Sequence, residues 1–323
     1  MRTSIDIPVI DLAKPDRGAF AAACEQWGLF YLIGHGVDAG CIGNLRRASA
    51  AFFGSDDNVK QSVMRTRTNP WGYFDRELTK NVRDWKEIFD VGPAYGTSNP
   101  QWPEETVENM RVFRSSLESY AAAVHQLSLQ VLKLLLESLN EPSDAIIAAF
   151  SAHTSFLRLN HYPPCAEPAA ADSPTVPLQG RLGIGHHTDA GALTILDQAD
   201  ISGLQVLRQD HWVDVPVMPG AFTVNIGDVV QVWSNDRFMA PLHRVLANQE
   251  SERYSTAWFL NPPADFHYQP LLPPNELNKA IYKPINWREF REQRAAGDYT
   301  NYGEEIQVSH FRRNRSPAPL VSG

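Results

Sequence analysis

Hydrophobic residues recur at alternating spacings of three and four through residues 103–139, which is the clearest periodic pattern in the chain. Such a period places apolar side chains on one face of an α-helix. The stripe consists of Met110, Phe113, Leu117, Tyr120, Val124, Leu127, Val131 and Leu134. Further leucines widen it towards its C-terminal end, which favours a helix packed across a core over a coiled-coil seam.

Short apolar runs bounded by turn residues dominate the rest of the chain and predict many short strands. We predict strands at 7–12, 29–33, 155–162, 192–196, 204–207, 222–226 and 229–233. We predict further helices at 18–27, 39–54, 55–63, 287–296 and 299–311. Residues 64–103 lack a regular pattern and predict a loop, which either faces a substrate or packs the N-terminal region against the core. A mainly β fold with flanking helices follows, of the sandwich or barrel type.

A candidate metal site begins with His187 and Asp189, which share one face of a strand because successive side chains alternate. The neighbouring His186 points to the other face. His243 lies several predicted strands later, so it joins the pair only if the strands fold back on one another. Two imidazoles and one carboxylate form the facial triad of non-haem Fe(II) oxygenases, which leaves coordination positions open. Zinc is the competing metal, since hydrolytic zinc sites use the same ligands.

A candidate carboxylate anchor follows at Arg253 and Ser255, which again share one face of a strand. A guanidinium binds a carboxylate through two parallel hydrogen bonds, and a neighbouring hydroxyl adds a donor. A hydrolase has no need of this anchor, whereas an enzyme that chelates a keto acid on iron does.

The ordered motifs resemble the 2-oxoglutarate- and Fe(II)-dependent dioxygenases of the isopenicillin N synthase-like superfamily. The resemblance covers most of the chain and rests on these segments: Ile7-Pro8-Val9-Ile10-Asp11-Leu12, Asn160-His161-Tyr162-Pro163-Pro164-Cys165, His187-Thr188-Asp189-Ala190-Gly191, Asn225-Ile226-Gly227-Asp228, Gln231-Val232-Trp233-Ser234-Asn235, His243-Arg244-Val245 and Arg253-Tyr254-Ser255. It implies a double-stranded β-helix, or jelly roll, of two facing antiparallel sheets. It also implies Fe(II), 2-oxoglutarate and O2 as cofactors and co-substrates, with ascorbate as a possible reductant.

The resemblance assigns roles within the predicted cavity. His187, Asp189 and His243 bind the metal, and Arg253 and Ser255, with Tyr162, bind 2-oxoglutarate. Arg158, Asn160 and Tyr162 share one strand face, which suits a cavity lining. Arg158 is either an anchor for an acidic substrate group or an ordinary structural arginine.

Phe259 continues the strand face that begins at Arg253, and it is either a substrate-lining aromatic or a core residue. The implied reaction oxidises, most simply hydroxylates, a C–H bond of a small molecule and releases succinate and CO2. Two alternatives stay open: an oxidase like isopenicillin N synthase or aminocyclopropane carboxylate oxidase, which uses no 2-oxoglutarate, and an inactive jelly-roll binding or sensor protein.

Four regions are expected: an N-terminal cap at 1–103, scaffold helices at 104–150, the jelly-roll core at 151–263, and C-terminal helices with a tail at 264–323. The last residues, 316–323, lack the pattern of a packed element and are expected to be disordered.

Composition narrows the class of partner. The chain of 323 residues has 29 Lys and Arg against 37 Asp and Glu, a net charge of -8, which disfavours nucleic-acid binding. Three cysteines, Cys24, Cys41 and Cys165, lack the spacing of a zinc or redox pair, which predicts reduced thiols. No run is long and apolar enough for a membrane span, and no signal peptide is recognisable. We therefore expect a cytoplasmic monomer that acts on a small molecule without nucleic-acid or membrane partners.

Overall fold

A computed structural model describes residues 6–94, 98–105, 110–301 and 303–313. The predicted disordered tail at 316–323 lies outside these ranges. The α-helices within them are α1 Arg17–Gln26, α2 Ala39–Phe53, α3 Asp57–Ser62, α4 Phe113–Ser138, α5 Ser143–Ala149, α6 Asp228–Trp233 and α7 Trp287–Ala296. Short 3-10 helices occur at Phe150–Ala152, Pro274–Lys279 and Val308–Phe311.

The strands are short and follow one another closely in the second half of the chain. In order they are β1 Val9–Asp11, β2 Leu29–Ile33, β3 Gly72–Phe74, β4 Leu78–Thr79, β5 Val82–Arg83, β6 Glu87–Val91, β7 Phe156–Tyr162, β8 Leu182–His187, β9 Leu193–Asp197, β10 Leu204–Arg208, β11 His211–Asp214, β12 Phe222–Ile226, β13 His243–Leu246, β14 Arg253–Leu260, β15 His267–Tyr268 and β16 Ile285–Asn286.

Two sheets form the core of the fold. The larger has the order β1-β2-β12-β9-β14-β7-β6-β3, and the smaller has the order β11-β10-β13-β8. Among these described strands, all pairs are antiparallel except the edge pair of β1 and β2. Leu29 and Tyr162 from the larger sheet pack against Leu204 and Val245 from the smaller, so the sheets face each other. The predicted jelly roll with flanking helices is confirmed.

Helix α4 packs on the outer face of the larger sheet, as its apolar stripe predicted. Its Leu117, Tyr120 and Val124 are fully buried in the main core. The ring of Phe113 stacks on that of Phe52 from α2 at a centroid distance of 4.9 Å. The helices cover the outer face of the larger sheet, so its inner face can line a cavity.

Three predicted elements differ from the structure. Residues 229–233 were predicted as a strand but lie in α6, whose six residues are all buried. A short apolar run that is buried on every side has no period to separate strand from helix. The long helix predicted from 103 begins at Phe113, where Val112 offers no side-chain cap, so no local signal marks the start. The helix predicted over 299–311 is reduced to the 3-10 turn at Val308–Phe311.

The region predicted as a loop at 64–103 contains β3, β4, β5 and β6, of two to five residues each. β3, β4 and β5 have only two or three residues, which is too few for alternation to be visible, and β6 is buried at four of its five positions and so shows no alternation. Tyr73 and Phe89 join the core, as the packing interpretation predicts, while Glu77 and Lys86 line a cavity.

The structure also describes the three cysteines and the lengths of the helices. Cys24, Cys41 and Cys165 are all free thiols. Among the residues that the structure describes, no helix has the length and apolarity to cross a bilayer.

Candidate metal centre and co-substrate pocket

The three predicted metal ligands converge at one end of the smaller sheet. His187 ends β8 and pairs directly with His243, which begins β13. Asp189 lies just beyond the strand, and its Oδ1 is 3.6 Å from His187 Nε2 and 3.7 Å from His243 Nε2. One ligand atom from each residue lies within 4.8 Å of the others. Two atoms that each bind a metal at about 2.1 Å are at most about 4.2 Å apart, so both measured His–Asp distances suit one shared ion.

Backbone hydrogen bonds fix which nitrogen of each histidine faces the centre. His187 Nδ1 lies 2.8 Å from the carbonyl of Gly185, and His243 Nδ1 lies 3.0 Å from the carbonyl of Pro241. A carbonyl only accepts hydrogen bonds, so each Nδ1 carries the proton and each Nε2 keeps its lone pair for a metal. Burial, together with the nearby His187, lowers the pKa of His243 to about 4, which keeps its imidazole neutral.

Asp189 is oriented by two donors on the larger sheet. Thr194 Oγ1 and Asn225 Nδ2 both donate to its Oδ2, the latter at 2.8 Å, so Oδ1 is turned towards the histidines. Burial opposes ionisation of Asp189, but His243, His187 and Asn225 outweigh it and hold the pKa of the carboxyl well below its usual range. The side chain therefore presents a negative charge to the two histidines.

The turn that carries Asp189 is also held by the start of α6. The backbone N–H of Asp228 donates to the Asp189 carbonyl at 2.7 Å, and that of Val229 donates to Gly191 at 3.1 Å. A Cβ on Gly227 would lie 2.2 Å from the Gly191 carbonyl, so only glycine permits this approach.

The candidate carboxylate anchor lies across the cavity, on the larger sheet. Arg253 pairs with Tyr162 in register and Ser255 pairs with Asn160, so all four side chains face the cavity that the triad lines. Arg253 is buried, and its Nε donates to the Ile201 carbonyl at 2.9 Å. Its Nη1 is buried without a hydrogen-bond partner in the described part of the chain. A buried donor without a partner is costly, and a carboxylate bound in this cavity would satisfy it.

Phe259 and Arg158, for each of which the sequence left two roles open, both line the cavity. Phe259 stacks on Phe156 with ring centroids 4.7 Å apart. Arg158 donates two hydrogen bonds to Glu77 and two to Asp90, at 2.7 to 2.9 Å. Its guanidinium is therefore occupied by protein carboxylates, which favours the structural role over the substrate anchor. Asn160 donates a long bond of 3.4 Å to Ser255.

Two family models match this chain. Residues 153–262 match the 2OG-Fe(II) oxygenase superfamily, and residues 7–111 match the N-terminal region described as non-haem dioxygenase in morphine synthesis. Gibberellin 2-beta-dioxygenase 4 of Arabidopsis thaliana is 33% identical over 318 residues, which cover 95% of this chain and 95% of that protein. The chain belongs to the 2OG-Fe(II) oxygenase superfamily.

Solved structures agree with this membership in the superfamily. The structure of JOX2 in complex with 2OG, Fe and JA has a TM-score of 0.74 and 29% identity, covering 88% of this oxygenase and 83% of JOX2. A full-length Neurospora crassa protein in complex with alpha-KG and thymine has a TM-score of 0.77 at 24% identity, covering 92% and 98%, and supports the fold. The protein is an Fe(II)- and 2-oxoglutarate-dependent oxygenase, so Fe(II), 2-oxoglutarate and O2 are confirmed as its cofactors and co-substrates. The alternatives of an oxidase without 2-oxoglutarate and of an inactive binding protein find no support.

Several residues of this oxygenase's cavity were missed by the sequence analysis. Thr194, Lys86, Glu77, Arg291 and Arg294 all line it. Glu77 and Lys86 lie in the region predicted as a loop, where no local pattern separates cavity residues from exposed ones. Arg291 and Arg294 lie on α7, which was predicted correctly as a charged amphipathic helix, yet nothing in its pattern shows which arginines turn inward.

Proposed function

We propose that His187, Asp189 and His243 hold Fe(II), and that Arg253, Ser255 and Tyr162 bind the distal carboxylate of 2-oxoglutarate. The observation that carries this proposal is the buried Nη1 of Arg253, which has no hydrogen-bond partner among the described residues and belongs to a residue that lines the same cavity as the triad. Fe(II) with 2-oxoglutarate and O2 supplies the oxidising chemistry for a C–H bond, with succinate and CO2 as products.

The residues of the chain perform the positioning. Backbone carbonyls hold both imidazoles with Nε2 facing the proposed metal position. Asn225 and Thr194 bind Oδ2 of Asp189, so that Oδ1 faces the same position. The guanidinium of Arg253 lies over the ring of Tyr162 at 4.7 Å, which limits its movement. A co-substrate that is fixed at its far carboxylate presents its keto acid end in one orientation, which lowers the entropy cost of reaction.

We further propose a small-molecule substrate and hydroxylation as the simplest outcome. Similar proteins are named for gibberellin oxidation, or are described in complex with JA or thymine, all of them small molecules. Asn160 and Phe259 are proposed to contact the substrate. We also propose that the protein is a cytoplasmic monomer and that ascorbate is its reductant. The four proposed regions are 1–103, 104–150, 151–263 and 264–323.

Anaerobic spectroscopy tests the proposed site. Adding 2-oxoglutarate to the Fe(II) protein should produce a weak visible charge-transfer band. In Arg253→Ala the band should require far more 2-oxoglutarate, equivalent to roughly 2–5 kcal/mol of lost binding energy, because a desolvated charged pair is broken.

The matched variant Arg253→Lys keeps the charge but loses the planar pair of donors, so it should lie between wild type and alanine. A band that appears at the same 2-oxoglutarate concentration in all three proteins would remove Arg253 from this role. Screening metabolite pools for stimulated succinate release then identifies the substrate.

A further inference from the structure

Helix α7 presents the guanidinium of Arg291 to the interior of the cavity. This residue lines the inner chamber that contains the triad, and it also lines an adjoining outer chamber of about 570 Å³. Phe156, Trp287 and Asp298 line both chambers as well. Arg291 therefore lies at the junction through which a bound molecule would extend towards the metal centre.

Three other arginines near this junction have carboxylate partners. Arg65 pairs with Glu77 at 2.9 Å and with Asp90 at 3.0 Å, and Arg158 binds the same two acids. Arg294 pairs with Glu305 at 2.7 Å. Arg291, in contrast, makes no hydrogen bond or ion pair with any residue among the described ranges, and its guanidinium lies 5.6 Å from the ring centroid of Phe156. Its donors remain available to a ligand.

The surrounding charges allow one added negative charge at Arg291. Burial lowers the pKa of this guanidinium, and Asp298 is the acid that most opposes the shift. Asp298 makes no ion pair or hydrogen bond with Arg291 among the described contacts, so it leaves the donors of the guanidinium unoccupied. Burial and the nearby Glu77 raise the pKa of Asp298 only to about 6, so it stays largely ionised at neutral pH. A monovalent carboxylate matches the flat pair of donors on an arginine. A phosphate dianion would bring a second negative charge close to Asp298, Glu77 and Asp90, which disfavours it.

The chamber walls next to Arg291 are aromatic. Trp71, Phe156 and Tyr299 line the outer chamber, and Phe259 continues the aromatic surface inward from Phe156. An aromatic wall beside a cation with which no described carboxylate forms an ion pair favours a ligand that has an apolar body and one anionic end.

We infer that the primary substrate is a small amphipathic monocarboxylic acid whose carboxylate binds Arg291 and whose carbon skeleton packs against Phe156 and Phe259. This inference rests on the proposed function, because it orients the skeleton relative to the triad. Arg291 is then a specificity-determining residue. The anchored carboxylate decides which C–H bond is presented for oxidation.

Binding of matched acids and amides tests the inference. The probes are octanoate, 4-phenylbutyrate and 2-naphthylacetate, each compared with its primary amide. They are titrated into the anaerobic Fe(II) and 2-oxoglutarate complex, with fluorescence of the tryptophans, including Trp71 and Trp287 in the chamber walls, as the readout. We expect at least one acid to bind about 10-fold or more tightly than its amide, as a charged hydrogen-bonded pair provides.

Four variants assign the preference to Arg291. Arg291→Gln should weaken acid binding about 10- to 100-fold while leaving the amide unchanged, and Arg291→Lys should restore part of the loss. Asp298→Asn should tighten acid binding by roughly two- to ten-fold, since it removes the competing negative charge. Arg237→Gln removes an arginine of the outer surface that pairs with Glu25, and it should leave the preference for acids intact.

The outcomes separate this inference from the proposed function. If every acid fails to bind, if acids and amides bind equally, or if Arg291→Gln keeps the preference, the inference is wrong. The charge-transfer band of 2-oxoglutarate is read in the same samples. Its absence from the wild-type protein would instead contradict the proposed function.

Discussion

At the scale of single residues, each metal-facing atom is fixed by a second contact on the same side chain. The carbonyls that hold His187 and His243 each lie two residues earlier in the chain, at Gly185 and Pro241. Such contacts set the tautomer and the direction of the lone pair without using charge. The backbone therefore orients the two imidazoles, and the side chains of Thr194 and Asn225 orient Asp189.

Asp189→Ala should abolish succinate formation from 2-oxoglutarate, because it removes one of the proposed ligands and the only negative charge among them. The adjacent His186→Ala is the matched control, since His186 is not among the converging ligand atoms. It should keep most of the turnover. Equal loss in both variants would refute the assignment of Asp189 as a ligand in preference to its neighbourhood in general.

Asn225→Ala should weaken metal binding about 10- to 100-fold, because Oδ2 of Asp189 loses the donor that orients it. The measurement is a titration of the apoprotein with Co(II), followed by its visible absorption. Asn248→Ala, which removes an amide whose oxygen accepts from backbone N–H groups in a loop, serves as the control. Unchanged Co(II) affinity in Asn225→Ala would show that Thr194 alone is enough to orient Asp189.

At the scale of elements, the site depends on segments whose secondary structure or burial could not be predicted from the sequence. Alternation along β7 and β14 predicted correctly which residues face the cavity, because a period of two leaves no other choice. The prediction of a strand at 229–233 was wrong, because α6 is buried on all sides and has no polar face that would reveal a helical period. Yet α6 holds the turn at residues 189–191 through the backbone N–H groups of Asp228 and Val229.

Helix α7 is tied to the same turn by Arg294. Its guanidinium donates to the Thr188 carbonyl at 2.7 Å and pairs with Glu305 at 2.7 Å. Arg294→Ala should loosen this connection, because a buried charged donor is lost, at a cost of about 1.5–3 kcal/mol. Hydrogen exchange should then increase in residues 187–191.

Arg288→Ala is the control for Arg294 on the same helix. Its exposed pair with Asp265 should contribute less than about 1 kcal/mol, so exchange at 187–191 should stay as in wild type. If exchange in this segment were equally slow in Arg294→Ala, the turn would not depend on α7.

At the scale of the whole molecule, the general fold was readable from the sequence, whereas the buried ion network was not. Strand patterns and ordered motifs predict the jelly roll and the pair of His187 and Asp189, which are two residues apart, whereas His243 joins them only through the pairing of β13 with β8. Glu77, Lys86 and Arg158 are brought together by β6, β7 and the segment before β4, so their contacts are tertiary. A charged residue in sequence is most often exposed, and nothing local marks these as buried.

This network predicts how the stability of the fold depends on pH. Burial opposes ionisation of Glu77, but Arg158, Lys86 and Arg65 outweigh it and hold the pKa of this carboxyl well below its usual range. A carboxyl with a depressed pKa in the folded state stabilises the fold above its unfolded pKa. That contribution is lost as the pH falls through the folded pKa. The free energy of unfolding should therefore decrease steeply below about pH 4.3, where the unfolded chain takes up the proton more readily.

Glu77→Gln should unfold more easily at neutral pH by about 3–5 kcal/mol, because it leaves three buried cations with less compensation. It should also show a shallower loss of stability between neutral and acidic pH than wild type. Urea unfolding followed by tryptophan fluorescence at several pH values measures both effects. Glu250→Gln, in an exposed loop, should reproduce the wild-type pH dependence. If Glu77→Gln had the wild-type slope, the acid sensitivity of the fold would arise from carboxyls outside this network.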